Sequence, residues 1–466
     1  MNETSWMNED YIHELVSAAE NPQAENVDRI LSKAAEGSGL EPSEAAVLVN
    51  IRERDQLERL YDTANKIKER IYGNRLVLFA PLYVSNHCSN NCMYCGFRID
   101  NSELMRQTLS LKQVREEAQA ILTQGHKRIL MLMGEDERSC SVEYFLEAID
   151  AAYQAKDGKG SSLRRINVEI APLTGPQFRQ LSGKKIGTYT VFQETYHKKT
   201  YELMHPSGRK NDYLWRLETM DRALDNGLHD VGIGALFGLY DYRFEVVSLL
   251  MHARHLDEAH GVGPHTISVP RIKPATNAPA SQEIPNPVSD EDFKKIIAVL
   301  RCSVPYTGII LSTREAPELR DQLFSLGVSQ ISAGSKTAPG EYSDSNNCEE
   351  GSGQFSLNDT RSTGEVISSV IQKGYIPSFC TACYRRGRVG GDFMELAKPG
   401  LIKRHCLPNA ITTLEEYLID YADEDTRVKG EKLIKDSLAD IGDEKIIIKT
   451  AEYLEKIKNG QRDLYF

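Results

Sequence analysis

Eight short apolar runs, each followed by a segment of helical pattern, constrain the fold of this chain more than any other feature. The runs lie between residues 75 and 335, and the segments between them, such as 110–124 and 289–302, are long enough for crossover helices. The predicted strands are 76–85, 128–133, 166–171, 188–193, 231–236, 266–271, 308–313 and 330–335. Eight parallel strands separated by helices predict an α/β fold, a closed (β/α)8 barrel rather than an open sheet.

The segments on either side of the predicted barrel have a different pattern. Residues 42–50 begin with Pro and Ser in cap positions, and 54–72 keep helical periodicity with many charges. The C-terminal part has helical segments around a second group of cysteines. We therefore expect an N-terminal helical extension (1–72), the barrel (73–340) and a mainly helical C-terminal domain (341–466).

Charge and hydropathy exclude several classes of partner. The 466-residue chain carries a net charge of −11 without a basic block, which argues against a nucleic-acid partner. No apolar run reaches the roughly 18 residues needed to span a membrane, and the acidic N-terminus lacks the features of a signal peptide. We expect a cytoplasmic protein, in which grouped cysteines serve as metal ligands rather than as disulfides.

The first cysteine group, Cys88, Cys92 and Cys95, has CxxxCxxC spacing in the loop after the first predicted strand, at the catalytic mouth of a barrel. Three thiolates can bind three irons of a [4Fe–4S] cluster and leave the fourth open to the amino and carboxylate groups of S-adenosylmethionine (SAM). One electron passed to the sulfonium then gives a 5′-deoxyadenosyl radical. Zinc is the alternative, because His87 could supply a fourth ligand.

Three further residues fit a SAM site next to this cluster. Tyr94, just before the last cysteine, occupies the aromatic position that commonly packs on adenine in such motifs. Gly134 and Glu135 follow the second predicted strand. In radical SAM proteins a Gly-Glu pair at this place binds the SAM amino group through backbone and carboxylate, and a plain turn is the alternative.

The second cysteine group has a CxxC pair, Cys380 and Cys383, and a third member, Cys406, that is separated from Cys383 by 22 residues. Three thiolates again leave one iron of a second [4Fe–4S] cluster open. The alternatives are a tri-cysteine zinc site and a structural cluster without chemistry. The flanking sequence lacks the second CxxC of a zinc ribbon.

The whole chain, from about residue 40 to the end, resembles the HydG family of tyrosine-cleaving radical SAM maturases of [FeFe]-hydrogenase. The related thiazole-forming tyrosine lyases lack the C-terminal cysteine triplet. The motifs that carry the resemblance are IYGNRLVLFAPLYVSNHCSNNCMYCGFR, GEDERS, FQETYH, GLYDYRFE, GVGPHTISVPR, ILSTRE, QISAGS, PSFCTACYRRGR and CLPNAI.

The resemblance implies a lyase that acts on L-tyrosine. The radical takes hydrogen from the amino group, the Cα–Cβ bond breaks, and p-cresol and dehydroglycine form. Dehydroglycine becomes CO and cyanide on iron at the second cluster, giving an Fe(CO)(CN) synthon for the hydrogenase H-cluster. The implied partners are a reductant protein and other hydrogenase maturation proteins. The alternatives are a lyase supplying dehydroglycine for thiazole synthesis, and a non-catalytic iron–sulfur carrier.

The resemblance also gives roles to residues outside the cysteine groups. His265 opens the sixth predicted strand at the bottom face, where it could ligate an extra, labile iron on the second cluster; a buried structural histidine is the alternative. Arg314 and Ser312 end the seventh strand, where the guanidinium could bind the tyrosine carboxylate. The alternative for Arg314 is an ion pair with a neighbouring acid such as Glu315.

Two residues at the end of the fourth predicted strand complete the expected site. Gln193 and Glu194 follow one another there and would line the SAM or tyrosine site at the mouth of the barrel. We assign Gln193 to the tyrosine side and Glu194 to the SAM side.

Overall fold

The computed structural model describes residues 6–344 and 352–466 and contains a closed barrel of eight parallel strands, which confirms the predicted fold class. Neighbouring strands pair in sequence order, and the first pairs with both the second and the eighth. All eight predicted strands form, and six of them end two or three residues earlier than predicted. The strands are β1 (Arg75–Ser85), β2 (Arg128–Met133), β3 (Arg165–Glu169), β4 (Ile186–Thr190), β5 (Val231–Gly234), β6 (Thr266–Ser268), β7 (Gly308–Leu311) and β8 (Gln330–Ser332).

Helices precede the barrel and surround it. The four that precede it are α1 (Glu9–Ala18), α2 (Ala24–Glu36), α3 (Pro42–Val49) and α4 (Arg54–Tyr72). Those between the strands are α5 (Leu111–Thr123), α6 (Val142–Tyr153), α7 (Gly175–Ser182), α8 (Lys198–Met204), α9 (Tyr213–Leu217), α10 (Thr219–Asp225), α11 (Tyr242–His260), α12 (Pro279–Gln282), α13 (Asp290–Ser303) and α14 (Pro317–Leu323). One continuous apolar core joins these helices, apart from the short α12, to the strands.

The C-terminal segment adds a ninth strand that the sequence pattern did not predict. Its elements are α15 (Thr363–Gln372), β9 (Ile376–Ser378), α16 (Ala382–Arg385), α17 (Gly390–Ala397), α18 (Lys403–Asp420), α19 (Glu424–Leu438) and α20 (Glu444–Lys458). Strand β9 runs parallel to β1 and pairs with its first residues, Arg75 with Ile376 and Val77 with Ser378. Cys380 therefore follows a strand that ends at the bottom of the barrel, where the barrel strands begin.

Helix α18 packs against both β9 and β1, so Cys406 in its first turns is held near the same face. Within the described ranges, no helix combines the length and the apolar character needed to cross a bilayer.

Two cysteine sites at opposite ends of the barrel

The loop after β1 carries Cys88, Cys92 and Cys95 at the upper mouth of the barrel, where the strands end. The side-chain amide of Asn90 donates a hydrogen bond to Cys88 Sγ at 3.7 Å, and that of Gln354 donates to Cys95 Sγ at the same distance. Burial raises the pKa of Cys92 to about 12. Amide donors aimed at these half-buried sulfur atoms suit thiolates that bind a cluster, whose sulfurs accept such hydrogen bonds.

The end of β2 lies against this loop at a distance that only glycine permits. A Cβ atom at Gly134 would stand 2.1 Å from the His87 carbonyl oxygen. The next residue, Glu135, accepts hydrogen bonds from Ser89 N to its carbonyl at 2.8 Å and from Asn90 Nδ2 to its carboxylate at 2.6 Å. The two predicted SAM-binding residues are therefore fixed directly to the cysteine loop.

Tyr94 and Glu194 lie in a buried cluster that contains three residues the sequence analysis missed. The Tyr94 hydroxyl is 2.7 Å from His205 Nε2, and Lys210 Nζ is 5.5 Å from the centre of the Tyr94 ring. Glu194 pairs with Lys210 at 2.6 Å and with Arg216 at 3.3 Å. Burial raises the pKa of Glu194, but these two cations outweigh it and the net shift is downward. Its backbone φ of +73° is strained for a non-glycine residue.

Below the cysteine loop lies a cavity inside the barrel with about 800 Å³ of space, part of it open to solvent. Arg314 and Ser312 line it, and the Arg314 guanidinium lies 3.3 Å from the centre of the Phe355 ring. Glu315 does not pair with Arg314 but forms an ion pair with Arg271. Burial lowers the pKa of Arg314, and within the described residues the structure records no ion pair for its guanidinium.

Two residues near this cavity differ from expectation. Gln193 is only 2% exposed, but neighbouring Phe192 and not Gln193 lines the cavity, and both Gln193 amide atoms lack a hydrogen-bond partner in the described part of the chain. Glu169, the last residue of β3, does line the cavity. The sequence pattern did not indicate it, because it lies inside an apolar run; an acid in such a run is the signal that could have identified it.

A second cavity lies at the bottom of the barrel and brings together all four residues predicted for the second metal site. Cys380, Cys383, Cys406 and His265 line it, with residues from the beginnings of β1, β2, β3 and β8. The backbone N–H of Ala382 donates to Cys380 Sγ at 3.4 Å. Side chains from the barrel and from the C-terminal segment therefore form one site.

His265 is oriented by a buried acid. Its Nδ1 lies 3.4 Å from Asp230 Oδ1 without the geometry of a hydrogen bond, and the same oxygen accepts a hydrogen bond from Gly390 N at 3.1 Å. The imidazole packs on Phe393 with ring centres 4.3 Å apart, and burial lowers the pKa of His265. A neutral imidazole whose Nδ1 faces a carboxylate keeps Nε2 as a ligand atom.

Three arginines that the sequence analysis missed, Arg75, Arg128 and Arg165, also line the lower cavity. The Nε atoms of Arg75 and Arg128 are buried without a partner in the described part of the chain. Guanidinium groups beside three thiolates offset their negative charge, which fits a cysteine-ligated iron–sulfur cluster.

The described residues contain no group of three or more His, Cys, Asp or Glu side chains that converge on one point, as a single zinc ion would require. A [4Fe–4S] cluster places its three thiolates on three different iron atoms, so its ligands stand farther apart. The cysteine spacing in the sequence thus remains the basis for expecting a cluster at each site, with zinc as the alternative.

Comparison with known proteins agrees with this geometry. Residues 82–250 match the model of the Radical SAM superfamily, and residues 268–376 match the Biotin and Thiamin Synthesis associated domain. The barrel, with a cysteine triplet in the loop after β1, defines a radical SAM enzyme, a class that uses SAM and a [4Fe–4S] cluster.

The particular family follows from closer relatives. A crystal structure of HydG, a maturase of the [FeFe]-hydrogenase, superposes with a TM-score of 0.95 at 48% identity over 99% of this chain and 100% of that one. The HydG structure from Carboxydothermus hydrogenoformans gives 0.83 at 41% identity over 97% and 99%. The 2-iminoacetate synthase of Escherichia coli (strain K12) is 31% identical over 348 residues, 74% of this chain and 89% of the relative. This chain belongs to the HydG family of hydrogenase maturases.

Proposed function

We propose that this enzyme cleaves the Cα–Cβ bond of L-tyrosine to p-cresol and dehydroglycine, and that dehydroglycine becomes CO and cyanide bound to iron at the second cysteine site. Dehydroglycine is another name for 2-iminoacetate, the compound named in the E. coli relative. The observation that carries the second step is that Cys380, Cys383, Cys406 and His265 line one cavity at the far end of the same barrel. The product would be an Fe(CO)(CN) unit for maturation of the hydrogenase H-cluster.

In the upper site, Cys88, Cys92 and Cys95 would hold a [4Fe–4S] cluster which, when SAM is bound, supplies the 5′-deoxyadenosyl radical. Gly134 and Glu135 would bind the SAM amino group, since both are fixed to the cysteine loop.

The other SAM and substrate contacts come from residues around the upper cavity. Tyr94 would pack on the adenine, and the buried Glu194 would orient SAM through its ion-paired carboxylate. The Arg314 guanidinium, with Ser312 beside it, would bind the tyrosine carboxylate in two hydrogen bonds. Gln193 would act indirectly, because it does not line the cavity.

In the lower site, Cys380, Cys383 and Cys406 would hold a second [4Fe–4S] cluster, and His265 would bind an extra, labile iron. The upper and lower cavities touch successive inward residues of the same strand, Asn167 and Arg165 in β3. Such residues are about 7 Å apart, so a short polar path inside the barrel would carry the fragment. An enclosed path keeps diffusible CO and cyanide away from solvent.

The proposed chemistry needs partners that donate electrons and accept the product. A reductant protein would supply the electron for SAM cleavage, and other hydrogenase maturation proteins would receive the iron unit. The net charge of −11 suits partners with basic docking surfaces. We place the reaction in the cytoplasm.

The test uses the reconstituted full-length enzyme with SAM, tyrosine and a reductant. We expect 5′-deoxyadenosine, p-cresol, CO and cyanide from the wild-type enzyme. Cys383→Ala should keep p-cresol formation but lose CO. Cys302→Ala, a buried thiol of α13 outside both sites, is the matched control and should behave as wild type.

The alternatives give different products in the same assay. If the wild-type enzyme forms p-cresol and dehydroglycine without CO or cyanide, it supplies dehydroglycine as thiazole-forming lyases do. If it forms no 5′-deoxyadenosine under reducing conditions, it is a non-catalytic iron–sulfur carrier and the proposal is wrong.

A further inference from the structure

Among the described residues, two charged side chains line the upper cavity, one anionic and one cationic. They are Glu169 at the end of β3 and Arg314 beyond β7. Glu169 is paired in the sheet with Leu132 on one side and Thr190 on the other, so its position is fixed by two strands. A cavity with one fixed carboxylate and one guanidinium suits a zwitterionic ligand.

Other acids near this end of the barrel already have partners. Glu194 is paired with Lys210 and Arg216, and Glu315 is paired with Arg271. For Glu169, by contrast, the described part of the chain provides no hydrogen bond and no ion pair, only longer-range charges. Glu169 is half-buried in the cavity wall, and a carboxylate largely withdrawn from water without a partner is destabilising unless a ligand provides one.

We infer that Glu169 binds the α-ammonium group of the amino-acid substrate and removes one proton from it, while Arg314 holds the carboxylate. This inference rests on the proposed function, because it takes tyrosine as the substrate. The proton moves from the ammonium nitrogen to a Glu169 carboxylate oxygen and leaves a neutral amine with its lone pair. No electron is transferred in this step, so atoms and charges balance.

The proposed chemistry needs such a base. Loss of a hydrogen atom from an ammonium group would leave a nitrogen radical with a positive charge, whereas loss from a neutral amine leaves a neutral radical. Burial raises the pKa of Glu169 to about 7, which suits a group that accepts a proton near neutral pH. The titratable groups that face Glu169 are Tyr83, Glu194, Lys210, Arg216 and Arg314.

The first measurement is equilibrium binding to the SAM-loaded enzyme without reductant. The probes are tyrosine and 3-(4-hydroxyphenyl)propionate, which lacks only the amino group. We expect the wild-type enzyme to bind tyrosine about tenfold more tightly or better, since a hydrogen bond between charged groups accounts for such a ratio. Glu169→Gln should lose this preference. Glu147→Gln, an exposed residue of α6, is the matched control and should keep it.

The second measurement is the rate of p-cresol formation against pH. In wild type, kcat/KM should rise with pH through about 7, because Glu169 must be ionised to take the proton. Glu169→Gln should lower kcat about 100-fold and remove this rise. Glu169→Asp keeps the base on a shorter side chain, so it should retain the preference for tyrosine and the pH dependence at a lower rate.

The results separate this inference from the proposed function. If Glu169→Gln retains the wild-type binding preference or the wild-type rate, Glu169 does not bind the ammonium and the inference is wrong. If Glu169→Asp loses the preference for tyrosine and the pH dependence as Glu169→Gln does, a carboxylate at this position does not provide either property and the inference is also wrong. Absence of p-cresol from the wild-type enzyme would overturn the proposed function, while the binding preference would still decide the role of Glu169.

Discussion

A methyl group at Gly134 tests whether the close approach between β2 and the cysteine loop builds the SAM site. In Gly134→Ala the new Cβ atom would stand 2.1 Å from the backbone oxygen of His87 and 3.2 Å from Cys88 Cβ. The first contact is with main chain, so no side chain can rotate to relieve it. Either the loop or the end of β2 must move.

The size of the effect follows from the overlap. A carbon and an oxygen atom must be about 3 Å apart or more, so the loop must shift by about 1 Å. Overpacking of this kind typically costs about 1–3 kcal/mol in the free energy of unfolding. A displacement of about 1 Å at reacting groups can lower the rate about 100-fold. We therefore expect weaker SAM binding and a large loss of SAM cleavage.

The assay compares Gly134→Ala with Gly158→Ala, where a Cβ atom would meet nothing within 4 Å. Unfolding free energy, SAM affinity and 5′-deoxyadenosine formation are measured for both variants after reconstitution. Gly158→Ala should match wild type in all three. Equal behaviour of the two variants would refute the reasoning, because it would mean that the loop and β2 are not held at this distance.

Three further substitutions have expected outcomes. Arg314→Lys should raise the KM for tyrosine about tenfold, since an ammonium cannot replace the two parallel hydrogen bonds of a guanidinium; steady-state kinetics measure it. Asp230→Asn should weaken binding of added iron(II) about 10- to 100-fold, because it releases His265; titration of the reconstituted protein measures it. Glu194→Gln should lower the unfolding free energy by about 3–5 kcal/mol at neutral pH by leaving buried cations unpaired. Because the pKa of Glu194 is lowered in the folded state, this loss should be smaller in denaturation measured below about pH 4.

The barrel could be predicted from the sequence because each strand is an apolar run followed by a helical segment, a pattern set by burial on both faces. The ninth strand could not, because β9 has only three residues and includes Pro377. The length of β1 was an indirect sign of a ninth strand. Strand β1 has 11 residues, more than β2 needs as a partner, and its first residues pair with β9 instead.

The site residues could be predicted only where their chemistry requires a recognisable spacing or position in the sequence. The cysteine groups have such spacing, and His265 and Arg314 stand at strand ends. Lys210 has no such spacing. It lies in a polar segment that resembles an exposed loop, and only the folded chain brings it next to Glu194. Arg75, Arg128 and Arg165 each begin a strand, and in the sequence they resemble ordinary charged residues that flank an apolar run. In the folded barrel they line the lower cavity.

The lower site takes side chains from both sides of the expected boundary at residue 341. Arg165 of β3 donates hydrogen bonds to Asn167 and Thr188 at 2.8 and 2.9 Å, so the barrel itself fixes its guanidinium. That guanidinium lies 3.6 Å from the centre of the Tyr384 ring, and Tyr384 directly follows Cys383. A cation over an aromatic ring contributes about 2 kcal/mol when desolvated. The barrel therefore positions a cysteine that belongs to the C-terminal segment, and a cluster at this site would depend on both parts.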